Sequence, residues 1–403
     1  MWQPNASIGR LEMASQSGMM GHGVGARPSS RRAVNMDRRK LVKAGLQAGL
    51  AFPLAYVSRA LAQSPTFLGD MHAHFFFNER GTSKSGPVAR IFAEGNVTLA
   101  AWSLVGDAPW MGATPRGFVQ KSVPKPGDTL GWFQRELARM KRHIAEQNLN
   151  IVRTPSDVEL ALTGVPHVVL AVEGASFVED DPGRLKMAYD LGIRHLQLVH
   201  YVRNTLGDFQ TVRPEHGGLT DLGKNVIQEC NRLGILVDLA HSTSAAVTQA
   251  LAISKVPMVW SHSSVTARRK PDWRMIAWQA RQLSLEDAKA ITRKGGIVGL
   301  WALRQDVGGT VESYANRLSE MADWLGEDHV AFGTDMNGLG ANAVISTYAD
   351  LRRVAEYWQR RQVSRARIQK LAIGNYARVL QTALATSVWW HAYDHSTLGG
   401  LDV

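Results

Sequence analysis

Cysteine is nearly missing from this chain of 403 residues. Cys230 is the only one, which excludes an intrachain disulfide and a zinc site built from several cysteines. Long apolar runs are missing as well. Past the N-terminal region nothing approaches the ~20 apolar residues of a membrane span. The C-terminal stretch 387–403 is polar and aromatic, neither a stop-transfer segment nor a lipid-anchor signal. Charged residues are sparse at 20% against 45% hydrophobic, so a large core can be buried and disorder of the whole chain is excluded. No G-x-G-x-x-G motif follows a first strand, which removes the main signature of a dinucleotide fold. No internal repeat is present.

Acid is also scarce, and the formal net charge of +11 would ordinarily suggest a polyanion partner. Residues 1–62 hold nine Lys/Arg against two Asp/Glu, so only four net positive charges remain for the other 341 residues. The basicity belongs mostly to a leader, and nucleic acid is not an expected partner. Within that leader, residues 1–36 are rich in Gly, Ser, Met and Arg without an apolar period. Arg38-Arg39-Lys40 then precedes a mild apolar stretch at 44–57, and Ala60-Leu61-Ala62 forms a small-x-small cleavage pattern before Gln63. This is the layout of a twin-arginine export signal. The expected organisation is a disordered leader with signal peptide over 1–62 and a single domain over 63–403, periplasmic or secreted, with no lasting membrane anchor.

Short β-rich apolar runs recur through the rest, at 67–76, 97–106, 167–174, 193–200, 234–241, 257–264, 295–303 and 329–336, with helical patterns in most of the gaps. Eight near-continuous apolar strands alternating with helices predict an α/β fold, a (β/α)₈ TIM-type barrel. A doubly wound open sheet is the competing fold. The clearest helices run from Thr220 to a stop at Gly234, and from Ser284 to Lys294-Gly295.

The chemistry-bearing residues fall at one end of these runs. His72 and His74 close the first, Glu173 the third, His200 the fourth, His241 the fifth, His262 the sixth and Asp335 the eighth. Each alone reads as a core histidine or a cap for the next helix. Seven at the same end of six strands meet at the C-terminal face of a barrel, where such folds hold their active sites. Imidazole and carboxylate suit Zn²⁺ and similar divalent ions. His72 and His74, two apart, share one strand face. Glu173 can bridge two ions, and His241 and His262 complete the second. Two ions ~3.5–4 Å apart can hold a hydroxide and polarise a carbonyl. Asp335 stands where a proton shuttle is needed. Trp102 and Trp301 lie near strand ends, with core packing the favoured role. A Pro- and Gly-rich stretch at 107–127, carrying Trp110, is expected to be an added loop at the mouth.

The blocks LAVEGA, LGIRHLQLVH, GILVDLAHSTSAAVTQAL, VPMVWSHSS, DHVAFGTDMNG and GNYARVL, in this order, resemble the membrane dipeptidase (renal dipeptidase) family of zinc peptidases over most of 68–383. The resemblance implies a (β/α)₈ barrel with two zinc ions and a small dipeptide as substrate. It implies that His72 and Glu173 bind one ion, that Glu173, His241 and His262 bind the other, and that His200 contacts the substrate carbonyl or oxyanion. Asp335 matches the family acid of strand eight. The family's Asp two residues after the first histidine is His74 here, and its second Asp in the strand-eight block is Asn337. An arginine after strand six holds the dipeptide's carboxylate in the family; Arg269 is the expected match, with Arg268 its rival. Family members are often dimers, so a homodimer is among the expected partners. The leading reading is an exported dinuclear metallo-dipeptidase. The alternatives are another hydrolase of this barrel type acting on an amide, lactone or ester, or a non-catalytic metal- or peptide-binding relative.

Overall fold

The computed structural model describes residues 66–75 and 86–387. The leader, its twin-arginine motif and the tail beyond 387 lie outside the described residues. Among the described residues no helix is long and apolar enough to cross a membrane.

Eight parallel strands follow the expected runs. They are β1 (Leu68–Ala73), β2 (Val97–Val105), β3 (His167–Glu173), β4 (His195–Gln197), β5 (Leu236–Asp238), β6 (Val259–Ser263), β7 (Ile297–Leu300) and β8 (Val330–Phe332). They pair in sequence order from β1 to β8. The ring is closed between its ends by Asp335 N–H donating to the His72 carbonyl at 3.0 Å and His74 N–H donating to the Met336 carbonyl at 2.9 Å. A buried carboxylate reinforces this seam. Asp70 on β1 accepts from the Thr334 hydroxyl at 2.5 Å, Thr334 N–H at 2.9 Å and His72 N–H at 3.2 Å.

Two apolar layers result from period-two alternation along the strands. Leu99, Ala101, Val169, Leu236, Val259, Ile297 and Ala331 point into the barrel. The C-terminal helix Asn375–Leu384 sends Tyr376, Val379, Leu380 and Ala383 into the same cluster. Ala100, Trp102, Val168, Leu170 and Trp260 face outward and pack under the surrounding helices. Those helices are locally specified. Thr220 caps Asp221–Leu233 by accepting from Gly223 N–H, and Gly234 ends it at φ 78°. Ser284 caps Leu285–Arg293 by accepting from Asp287 N–H.

The strands are shorter than their apolar runs, and two are bulged. Trp260 and Ser263 of β6 pair with Val298 and Leu300 of β7, so Ser261 and His262 together oppose Gly299. Asp70 and Ala73 of β1 pair with Ala100 and Trp102, so Met71 and His72 oppose Ala101. In each case the extra residue turns a histidine inward beside an interior neighbour. Glycine makes room for this: a Cβ on Gly299 or Gly333 would sit 1.9 or 1.7 Å from the Ser261 carbonyl oxygen.

Asp70→Ala removes the acceptor of three buried donors. Urea unfolding is expected to show a loss of ~2–4 kcal/mol, the range for buried donors left unpaired. A loss below ~0.5 kcal/mol would mean that the seam does not depend on Asp70.

Candidate metal centre

Each candidate residue leaves its strand where the ladder stops. His241 and Asp335 take left-handed backbone conformations, φ 69° and φ 53°, as does Asn337 at φ 68°. Such conformations cost ~1–3 kcal/mol in residues other than glycine and cannot continue a β-ladder. They turn the His241 and Asp335 side chains over the barrel mouth. Asn337 donates to the His74 carbonyl at 2.6 Å and fixes the end of β1.

The other six strand-end residues gather around Glu173, which is 3% exposed. Its Oε1 lies 3.2 Å from His241 Nε2, 3.3 Å from His200 Nε2, and 3.5 Å from Nε2 of both His72 and His262. Its Oε2 lies 3.4 Å from His74 Nε2, which is itself 3.3 Å from Asp335 Oδ1. Three groups among the described residues have ligand atoms within 4.8 Å of one another: His72, His74 and Asp335; Glu173, His241 and His262; and His72, Asp238 and His262. The first two meet at the Glu173 oxygens.

The outer ring nitrogens show which face is free to ligate. His74 Nδ1 is 2.9 Å from the Ser103 carbonyl, so it carries the hydrogen and leaves the Nε2 lone pair facing inward. His72 Nδ1 is 3.1 Å from Ser103 Oγ, and His262 Nδ1 is 2.8 Å from Ser261 Oγ. Inside the ring, His72 Nε2 and His74 Nε2 approach to 3.2 Å, and so do His241 Nε2 and His262 Nε2. Facing lone pairs at that distance need a proton or a cation between them. Divalent ions fit this set of imidazole and carboxylate donors, with outer hydrogen bonds orienting the rings.

The electrostatics of His241, His262 and Glu173 agree with ligation, whereas without an ion His74 is held protonated. Burial drives the imidazoles of His241 and His262 well below their usual range, with Arg281 adding to it, so both are neutral lone-pair donors at pH 7. Burial would raise Glu173, but His200, His72 and His241 hold it well below the usual carboxylate range. Burial likewise opposes charge on His74, yet Asp335 and Glu173 prevail and its pKa rises to about 9. His200 is also raised, by Asp107 and Glu173 against burial.

Three residues of the site escaped the sequence reading. Asp107 is fully buried, accepts from His200 Nδ1 at 2.7 Å, and accepts from the N–H groups of Tyr201 and Val202 at 3.0 and 2.9 Å. It follows β2 directly, so the rule that found the other strand-end residues would have found it too; it was instead assigned to an added loop. Tyr201 follows His200, lines the cavity, and has its hydroxyl pushed up to about 12 by burial. Arg281 is 1% exposed, bonds to Gln210 and Tyr201, and places Nη2 3.0 Å from His262 Nε2.

The arginine expectation is therefore corrected. Arg268 and Arg269 are exposed and do not line the cavity, because the loop after β6 carries them outward. The chain returns to the mouth only at Arg281. Trp102 packs on Phe75 with ring centroids 4.7 Å apart, a core role, whereas Trp301 lines the cavity and its indole N–H donates to Asp306 at 2.7 Å.

Residues 92–391 match Membrane dipeptidase (Peptidase family M19). The chain is 30% identical over 196 residues to dipeptidase verJ of Clonostachys rogersoniana, covering 47% of this chain and 48% of that protein. It is 28% identical over 195 residues to dipeptidase aclJ of Aspergillus oryzae, covering 45% of this chain and 44% of that one. It thus spans about half the length of the curated relatives it matches. Its fold is similar to that of the probable dipeptidase PvdM from Pseudomonas aeruginosa, with TM-score 0.67 and 18% identity, covering 83% of this chain and 100% of that one. It is also similar to a metallo peptidase from Rhodobacter sphaeroides liganded with a phosphinate mimic of the dipeptide L-Ala-D-Ala, with TM-score 0.64 and 19% identity, covering 79% and 100%.

Two outcomes follow for the isolated protein. Glu173→Gln is expected to lose metal at both half-sites in elemental analysis, since a neutral amide is a poor bridging ligand; a variant that keeps its full wild-type metal content would contradict the shared role. In chelator-treated protein, His74 is raised from 6.5 to about 9, so it contributes stability that is complete below pH 6.5 and lost as pH rises through 9. Urea midpoints of the metal-free form should fall over that window. A midpoint that stays flat or rises there would show that His74 is not held protonated.

Proposed function

Since the chain belongs to the membrane dipeptidase family, we propose that it is a metal-dependent dipeptidase that holds two divalent ions, zinc by family likeness, and hydrolyses the peptide bond of a small dipeptide. The observation that carries this reading is the ring of five imidazole nitrogens within 3.5 Å of Glu173, with Asp335 and Arg281 at the same cavity.

His72, His74 and Asp335 would hold one ion and His241 and His262 the other, with Glu173 between them. Bound there, the ions supply Lewis-acid polarisation of the scissile carbonyl and lower the pKa of water enough for attack at neutral pH. The chain's own groups do the rest. Arg281 is a buried guanidinium with few neighbours of opposite charge, and it donates to the free carboxylate of the substrate, whose planar geometry suits it. That contact fixes which carbonyl lies over Glu173. His200 is held by Asp107 through Nδ1 and directs Nε2 into the site. In its protonated form it donates to the carbonyl oxygen as negative charge develops. Asp335 takes the proton of the attacking water and passes it to the leaving amine.

The leader belongs to the same proposal. Arg38-Arg39 and Ala60-Leu61-Ala62 support export of the folded protein by the twin-arginine route, with the mature barrel beginning at Gln63. Intact mass of the exported protein should correspond to 63–403, and replacing both arginines by lysine should stop export.

A dipeptide panel with and without chelator tests the activity: hydrolysis that chelator abolishes and zinc restores supports it, and no cleavage by fully loaded protein refutes it. Asp335→Asn is expected to lower kcat by ~10²–10⁴. Arg281→Ala should mainly raise KM for dipeptides with a free carboxylate and spare their C-terminal amides. Equal losses on acid and amide would remove Arg281 from that role. Arg269→Ala should leave both unchanged.

A further inference from the structure

The mouth is not symmetric, and a strap crosses it. The chain leaves β2 through Asp107 and forms a hairpin of Met111–Thr114 and Gly117–Gln120. The hairpin reaches the loop that follows β6: Ala277 N–H donates to the Arg116 carbonyl at 3.2 Å. It also reaches the loop after β4, where Arg203 N–H donates to Gln120 Oε1 at 3.1 Å and the Phe118 and Tyr201 rings lie 5.6 Å apart. In the strand order β2 and β6 are half a turn of the barrel apart, so the hairpin roofs the cavity from one side to the other.

Beneath it is a cavity of about 380 Å³. Such a volume is at the small end of ligand pockets, which run from ~300 to 1,000 Å³. Its two sides differ in kind. Over β4 to β6 stand His200, His241, His262 and the Arg281 guanidinium. On the β2 and β8 side the wall is made of Val105, Met111, Ala113 and Leu339, whereas Phe118 roofs the β4 side against Tyr201. No lysine lines the cavity, and its carboxylates are Glu173 and Asp335, both committed to the floor.

Resting on the dipeptidase reading above, we propose that this apolar wall is the seat of the substrate's N-terminal side chain, and that the enzyme selects dipeptides whose first residue is a large apolar one. The orientation follows from the two sides. A carboxylate on Arg281 and a scissile carbonyl over Glu173 leave the N-terminal residue on the β8–β1–β2 side, under the hairpin. A leucine, methionine or phenylalanine side chain there covers apolar surface that would otherwise face water. A charged side chain enters a roofed space with no group to pair it, and its desolvation is uncompensated. Glycine leaves the wall unfilled. Met111, from the hairpin, is the residue that sets the preference.

Binding separates this inference from the chemistry. Zinc-loaded protein is titrated by calorimetry with non-hydrolysable phosphinate analogues of Leu–Ala, Gly–Ala, Asp–Ala and Lys–Ala. The expected order is Leu–Ala tightest, by about tenfold or more over Gly–Ala, as for a filled against an empty hydrophobic pocket, with Asp–Ala and Lys–Ala weaker still. Met111→Ala in the same background should shrink the Leu–Ala to Gly–Ala ratio to about twofold. Met111→Lys, at the edge of the fold, should move the ranking toward Asp–Ala. Equal affinity for all four peptides would overturn this proposal and leave the dipeptidase reading standing. A preserved Leu–Ala to Gly–Ala ratio in the hairpin variants would overturn it as well. Loaded protein that binds none of the four would overturn both.

Discussion

One buried carboxylate organises this protein. Glu173 ends a fully buried strand, His167–Glu173, and is 3% exposed. An isolated carboxylate at that depth would be strongly disfavoured and would take up a proton. It is instead held well below the usual range by imidazoles brought from strands on every side. That balance can be reached only if the ring closes, because His72 and His74 come from β1 and Asp335 from β8. The seam between those strands is therefore part of the site: the backbone bonds that close it run from Asp335 to His72 and from His74 to Met336. Asp70 and Thr334 beneath it carry the load one layer down.

Much of this architecture was legible before any coordinates. Parallel strands buried on both faces read as apolar runs, and the C-terminal end of each run is where a barrel must place its chemistry. Those two regularities locate all eight strands and all seven strand-end residues. What they miss has physical causes. Bulges in β1 and β6 break the period-two count, so Met71 and His72 both face inward, as do Ser261 and His262. Alternation by itself would send one of each pair outward. The left-handed turns at His241 and Asp335 shorten the strands relative to their apolar runs. Arg281 leaves no local trace at all. It lies between a short helix, Ala277–Ala280, and the next cap, and its place depends on how a long loop returns to the mouth. Proximity to the strand end favoured Arg269, whereas loop geometry selects Arg281.

The loop after β2 has two jobs that a sequence reading separates poorly. Its first residue, Asp107, is core: buried, charged, and bonded to the His200 ring and two backbone N–H groups. Its remainder is roof. Phe118 and Val119 are each 40% exposed, an unusual place for large apolar side chains unless one face meets a cavity or a ligand. A Pro- and Gly-rich composition marks both parts as loop and hides the difference between them. The hairpin is held at its tip by the β6 loop and at its end by the β4 loop, so its position follows the same elements that carry Arg281 and His200. In the proposed function, substrate recognition at one end of the cavity would thereby be tied to the same framework as recognition at the other.

His74 in place of the family's aspartate changes the charge of the centre. Its Nε2 lies 3.2 Å from His72 Nε2 and 3.4 Å from Glu173 Oε2. Two dications set against Glu173 and Asp335 alone would leave two positive charges in a low-dielectric cavity, one more than with an aspartate at position 74. Electrostatic attraction is strong where water is excluded, so the surplus favours an anionic substrate group over the floor as well as at Arg281. Under the proposed function, two positive features would compete for one carboxylate, and geometry favours Arg281: the guanidinium offers a planar pair of donors that a carboxylate matches edge to edge. A point charge in the floor offers no such match. The apolar wall opposite Arg281 adds to the same outcome, because a peptide turned end for end would set its carboxylate against Met111 and Leu339 with nothing to receive it.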